Sequence, residues 1–309
     1  MMLIKKIFIF FIIPFIFFNF SISQEIIIIS KVDNEIITNI DIEIEKKYLL
    51  LLNNNLNKLS EKEIFNLAKN SVIREIIKKK EINKLFNKQN EKINNKIIEN
   101  FYKKLGFDKK NEFIKFLDKN NIDFENLKEK LIIEGLWNQI IYSKFNNKVR
   151  INKNSIEKEI INYYNSKDKK YEYNLSEIVI DIEKDISSKK KEISEYIEQF
   201  GFKVAANKYS KSDTSKFGGK IGWIKYSTLT KKIKNKISTI KVGDITDPIQ
   251  TSNGYLFLKL NNKREITEKF DLENELKQQI KYEKNRQLNQ FSLIYYKKLK
   301  KNTNVYEDK

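Results

Sequence analysis

The sequence predicts an α+β protein with a mostly helical body, one small strand-bearing unit and a long C-terminal helix. Three observations carry that prediction. Helix breakers are scarce and gathered in one place: five of the eight glycines (218, 219, 222, 243 and 254) fall in one stretch, and Pro248 is the only proline after Pro14. Apolar residues recur at helix spacing between residues 61 and 147, through Leu67, Val72, Ile73, Ile76 and Ile77 and on to Leu136, Ile140 and Ile141. From 171 to 265 the pattern changes to strand-like alternation punctuated by glycine turns.

Each element follows from local signals. Lys5 and Lys6 precede an apolar run from Ile7 to Phe18, and Ser21-Ile22-Ser23 offers small residues for a signal peptidase. Residues 1–23 therefore read as a cleavable signal peptide, cut near Ser23/Gln24. A spanning helix needs roughly 20 apolar residues, and this run is shorter, which favours cleavage over a retained anchor. Residues 26–29 form a short apolar strand and 31–35 a turn. Thr38 or Asn39 then caps a helix whose first turn carries Asp41 and Glu43, as the helix dipole favours.

Several helices follow to residue 147, with Phe101, Phe113, Phe116, Leu127 and Leu131 on their apolar faces; a further helix spans 155–164 and a polar linker 166–170. Residues 173–182 read as a buried strand, 187–200 and 202–209 as helices, and 217–223 as a glycine-rich turn entering a strand. A helix at 229–240, a tight turn at 242–245 and a last strand at 255–260 complete the unit. Its order is β-α-α-β-α-β, a sheet covered by helices. A charged amphipathic helix runs from Thr267 to about 301.

Composition narrows the chemistry. There is no cysteine and no histidine, which excludes thiolate metal sites, Cys-His and Ser-His-Asp hydrolases and histidine-ligated zinc. Aspartate, glutamate and lysine remain as catalytic groups, and no cofactor or metal is expected. The net charge is +19. Its lysines are spread among abundant isoleucine and asparagine rather than clustered, so coding bias explains the charge better than a nucleic-acid surface does.

Three blocks carry a family resemblance: SDTSKFGGKIGW at Ser212–Trp223, KVGDITDPI at Lys241–Ile249 and TSNGYLFLKL at Thr251–Leu260. In order and spacing they resemble the parvulin family of peptidyl-prolyl isomerases. A phosphate-cradling loop at Gly218-Gly219 is the competing reading, but no Gly-Lys-Ser/Thr follows it and a strand rather than a helix comes next. The flanks resemble SurA-type periplasmic chaperones, with 24–168 as the helical N-terminal domain, 169–266 as the parvulin unit and 267–309 as a C-terminal helix returning to the helical domain.

The resemblance implies site residues. Asp213 stands at the family's acidic or cysteine position, Thr251 at a family threonine, and Glu177 where parvulins place a first-strand histidine. Leu256 stands where they place a second histidine. Leu229 and Ile233 align with the floor of the proline pocket, and Leu256 and Phe257 would line or border it. Glu177 beside Asp213 would form a like-charge pair, raising one pKa.

The resemblance implies a periplasmic folding factor without nucleotide or nucleic-acid partners, binding unfolded or partly folded exported proteins such as outer-membrane proteins. With both histidines replaced, isomerase activity is expected to be reduced or absent. A fully active isomerase is the alternative reading, and an exported polyanion-binding protein a more distant one.

Overall fold

Strand β1 (Ile28–Val32) turns tightly through Asp33 and Asn34 into β2 (Glu35–Thr38), with Val32 opposite Glu35. The turn takes only Asp33 and Asn34 of the expected 31–35, and it is this tight because Asp33 takes the left-handed backbone (φ 50°), which a short polar side chain tolerates. This computed structural model describes residues 25–85, 91–165, 170–251, 254–266 and 270–307. The signal-peptide segment at 1–23, most of the linker at 166–170 and the expected helix start at Thr267 lie outside the described residues.

Thr38 caps α1 (Asn39–Leu52). Its hydroxyl accepts from the Asp41 amide, while the Asp41 carboxylate accepts the Thr38 amide at 2.7 Å, a reciprocal capping box. The helical body continues through α2 (Glu61–Leu85), α3 (Glu91–Lys104), α4 (Lys110–Lys119), α5 (Phe124–Phe145) and α6 (Lys153–Asn165). Asp123 caps α5 by accepting from the Asn126 amide.

The second unit contains β3 (Tyr171–Ile180), α7 (Ile186–Phe200), α8 (Phe202–Tyr209), β4 (Lys220–Lys225), α9 (Lys231–Ile237), β5 (Ile249–Thr251) and β6 (Gly254–Glu265). The strands form one antiparallel sheet in the order β4-β3-β6-β5. Strand β5, directly after Pro248, is an addition to the expected order. Helix α9 is shorter than the expected 229–240 because Thr230 ends the preceding extended segment and caps the helix through the Ile233 amide.

The sheet's alternation divides it between two cores. Ile178, Ile180 and Phe257 face α7 and α8, and there join a cluster running through Val32, Ile37, Leu49 and Val72 of the helical body. Leu175, Leu256, Leu258 and Leu260 face the other way, with Leu229 and Ile237. The change from helices to sheet at 168/169 is thus crossed by one continuous core.

The last helix, α10 (Leu272–Lys301), is capped by Asp271, has acids in its first turn and lysines in its last, and so matches the helix dipole at both ends. It crosses both units. Trp137 on α5, fully buried, donates its indole N–H to Ser292 Oγ at 2.9 Å and stacks on Tyr295; Phe145 stacks on Phe291. At its other end Gln279 donates to the Ser227 carbonyl at 2.9 Å and Glu275 pairs with Lys225. The chain then adds β7 (Val305–Glu307) to β1. Among the described residues, no helix is long and apolar enough to cross a membrane.

Trp137→Ala removes a fully buried indole and strands the Ser292 hydroxyl, so we expect a loss of about 3–5 kcal/mol in urea denaturation. Exposed Tyr142→Ala on the same helix should stay within about 0.5 kcal/mol of the parent.

Candidate active site

The middle strand of the sheet sets the site. On β3, Leu175, Glu177 and Val179 point to the α10 side, and across the ladder Glu177 lies opposite Leu258 and Val179 opposite Leu256. Strand β4 pairs with β3 only as far as Ser176. Beyond that point the loop 210–219 takes over the strand's edge. The Lys211 amide donates to the Val179 carbonyl at 2.7 Å, the Val179 amide to Ser210 Oγ at 3.1 Å, and the Glu177 amide to the Gly219 carbonyl at 2.8 Å. Gly219 has φ 75°, and a Cβ there would lie 2.2 Å from the Glu177 carbonyl oxygen, so only glycine brings the loop this close.

That approach places two hydroxyls on one carboxylate. Ser212 Oγ donates to Glu177 Oε1 at 2.7 Å, and Thr214 Oγ1 donates to the same oxygen at 2.9 Å. Burial raises the Glu177 carboxyl above the ordinary value; the two hydroxyl bonds oppose this and the neighbouring Asp213 charge adds to it.

Glu177 opens onto a cavity of about 440 Å³, within the range of small-molecule pockets. Its floor is apolar, from Leu229, Ile233, Ile249, Leu256 and Leu258, and Gln250 and Thr251 stand at the rim. The opposite wall comes from α10, through Tyr282, Arg286 and Gln290 among others. Burial, with the Glu177 charge adding to it, pushes the Tyr282 hydroxyl up to about 12. Arg286 is held by Glu283 through two hydrogen bonds, at 2.9 and 2.6 Å.

With this geometry in view, the sheet unit can be set beside known proteins. Residues 165–262 match the model of the rotamase family described as the PPIC-type PPIase domain. The sheet unit thus carries a PPIC-type PPIase domain, and the chain around it is similar to SurA and PrsA proteins. It is 24% identical over 164 residues to a Pseudomonas putida protein named chaperone SurA, covering 50% of this chain and 38% of that protein. It is 29% identical over 177 residues to a foldase protein PrsA of Clostridium botulinum, covering 54% of this chain and 52% of that one. The chain thus spans about half or less of the length of these curated relatives. A solved Campylobacter jejuni structure, described with SurA-like chaperones, aligns over 91% of this chain and 99% of that one at 17% identity with a TM-score of 0.38.

Within the parvulin unit, the sequence-derived residues separate. Glu177, Thr251, Leu229, Ile233 and Leu256 line one cavity. Thr251 Oγ1 donates to the Gly254 carbonyl at 3.0 Å, which closes the β5–β6 corner at the rim. Phe257 does not line it: one residue from Leu256, it takes the opposite face of β6 and is buried against α7 and α8. Asp213 is not a wall of the cavity either. It begins the short 3-10 turn 213–217 and faces Lys78 of α2, with Oδ1 3.6 Å from Nζ. Ser212, one residue earlier, takes the place beside Glu177.

Asp213 instead joins a charge cluster that ties the units together. Lys78 donates to Glu134 Oε2 at 2.7 Å, and Lys216 to Glu134 Oε1 at 3.1 Å. Burial opposes ionisation of Glu134, but the two ammonium groups override it and hold the carboxyl far below the usual range. The α10 wall was not legible from the sequence. Its only signal was the long amphipathic pattern, which does not say what the helix covers.

Because the folded state raises the Glu177 pKa, it binds that proton more tightly than the unfolded chain does, and stability falls as pH rises through the folded value. Glu177→Gln keeps an oxygen for Ser212 and Thr214 and removes the ionisation. Urea denaturation should show it more stable than the parent at pH 8, by about 1.4 kcal/mol for each tenfold by which folding tightens the proton's binding. Below about pH 4, where both states are protonated, that advantage should vanish.

Proposed function

We propose that this chain is an exported folding factor that holds unfolded or partly folded proteins, outer-membrane proteins among them, and that its parvulin unit binds proline-bearing segments but isomerises them weakly. The observation that carries this reading is the cavity itself. It keeps an apolar floor for a proline ring, while the two positions where the family places histidines carry Glu177 and Leu256.

Rotation about a peptide bond faces a barrier of roughly 18–20 kcal/mol, set by amide resonance, and no bond is made or broken. A catalyst must favour the twisted amide over the planar one. The planar form carries more negative charge on its oxygen and the twisted form a more basic nitrogen. Leu229, Ile233, Leu256 and Leu258 desolvate the ring and amide, which penalises the charge-separated planar form. What the site lacks is a donor at the two positions where the family places histidines, since Tyr282, Arg286 and Gln290 stand on the opposite α10 wall. Leu256 offers none, and the Glu177 oxygen nearest the loop is already occupied by Ser212 and Thr214. Ring binding is retained and the polar part of transition-state stabilisation is small.

Holding a client needs exposed apolar surface away from this cavity. Ile36 and Tyr306, both more than half exposed, flank Lys31 across the β2-β1-β7 sheet and supply such a surface. The net charge of +19 would keep complexes from associating with one another. The names of the curated relatives, chaperone SurA and foldase PrsA, support the same reading.

Two assays on the full chain test it. It should suppress aggregation of a denatured outer-membrane protein at near-equal amounts, without nucleotide. Its acceleration of a short Xaa-Pro peptide should be weak, and Glu177→His combined with Leu256→His should raise it about ten-fold or more, the effect of one recovered hydrogen bond of about 1.4 kcal/mol. Strong parent activity that the double variant fails to exceed would refute the reduced-activity reading. Failure to suppress aggregation would refute client holding.

A further inference from the structure

A second cleft, between α2, α8 and α10, is set apart by its charge. Arg74, Lys208, Lys211, Lys216, Lys297 and Lys300 line it, with Asp181 as the only acid on its walls. Three of these cations are compensated: Lys297 pairs with Asp181, Lys216 with Glu134 at 3.1 Å, and Lys208 with Glu63 at 3.7 Å. Arg74, Lys211 and Lys300 have no ion pair among the described residues, and Arg74 rests over the Tyr296 ring at 5.7 Å.

We propose that this cleft binds a phosphate-type dianion, either free phosphate or the phosphomonoester head group of a lipid. Three converging cations without an ion pair in a partly buried space repel one another, and a dianion offsets that repulsion better than one carboxylate can. Lys211 registers the repulsion. Burial lowers its ammonium pKa, Asp181 opposes this, and Arg74, Lys300 and Lys297 push it further down. A neutral donor also waits at the wall: Ser71 Oγ is buried there without a hydrogen-bond partner. The cleft holds about 230 Å³. That admits one such anion with a few waters of about 30 Å³ each. The proposal does not depend on the isomerase reading, since the cations come from α2, α8, α10 and the 210–217 loop rather than from the proline cavity.

Thermal melting and titration calorimetry of the full chain with inorganic phosphate, against chloride at equal ionic strength, provide the test. We expect a phosphate-specific rise of several degrees, and binding weakened at least ten-fold in Lys211→Gln and in Arg74→Gln. Lys191→Gln, on exposed α7, should retain the response. In chloride Lys211→Gln should melt no lower than the parent, because it removes a repelling charge. Capture by phosphatidic acid but not phosphatidylcholine vesicles, reversed by phosphate, assigns the lipid head group; phosphate binding without capture assigns the free anion. No phosphate-specific rise, an equal response in parent and both variants, or binding of an acidic peptide in place of phosphate would overturn the proposal.

Discussion

The structure depends on α10 lying across both units at once. Its C-terminal half is fixed to the helical body by the Trp137–Ser292 hydrogen bond and by Tyr295 and Phe291 stacking on Trp137 and Phe145. Its N-terminal half is fixed to the sheet unit by Gln279 on the Ser227 carbonyl and Glu275 on Lys225. A helix held at both ends cannot move from the sheet face without losing buried contacts, so the cavity it walls has a defined shape. Arg150 adds a further tie to α10, its amide donating to Gln287 and its carbonyl accepting from the same side chain.

The charge cluster around Glu134 complements this. Buried ion pairs add little net stability because desolvation offsets their attraction, yet removing one partner is costly. Lys78 and Glu134 come from α2 and α5, whereas Asp213 and Lys216 come from the loop that also presents Ser212 and Thr214 to Glu177. The cluster therefore sets the loop's position, and through it the hydrogen bonds that orient the one carboxylate in the cavity.

How much of this was legible from the sequence depended on the range of the interaction. The Thr38 cap, the helical body and the sheet unit rest on local patterns and were readable. The glycines at 218 and 219 marked the loop, and the reason appears in the structure, where Gly219 must pass within van der Waals distance of the Glu177 carbonyl. Glu177, Leu229, Ile233, Leu256 and Thr251 came together as the family resemblance implied. Phe257 did not, and strand alternation alone forbids it from sharing a face with Leu256. The exchange of Asp213 for Ser212 depends on one residue of phase in a 3-10 turn, which spacing cannot specify. The facing of α10 to β3 and the Lys78–Asp213 contact join residues more than a hundred positions apart, and no local pattern encodes such pairings.

We propose that the sheet and the C-terminal helix together form the cavity that takes the proline ring. Hydrogen–deuterium exchange of the full chain, with and without a saturating Xaa-Pro peptide, tests it most directly. The account predicts added protection both in β6 around 256–258 and in α10 around 282–290. Protection confined to the sheet, with α10 exchanging as in the free protein, would contradict it.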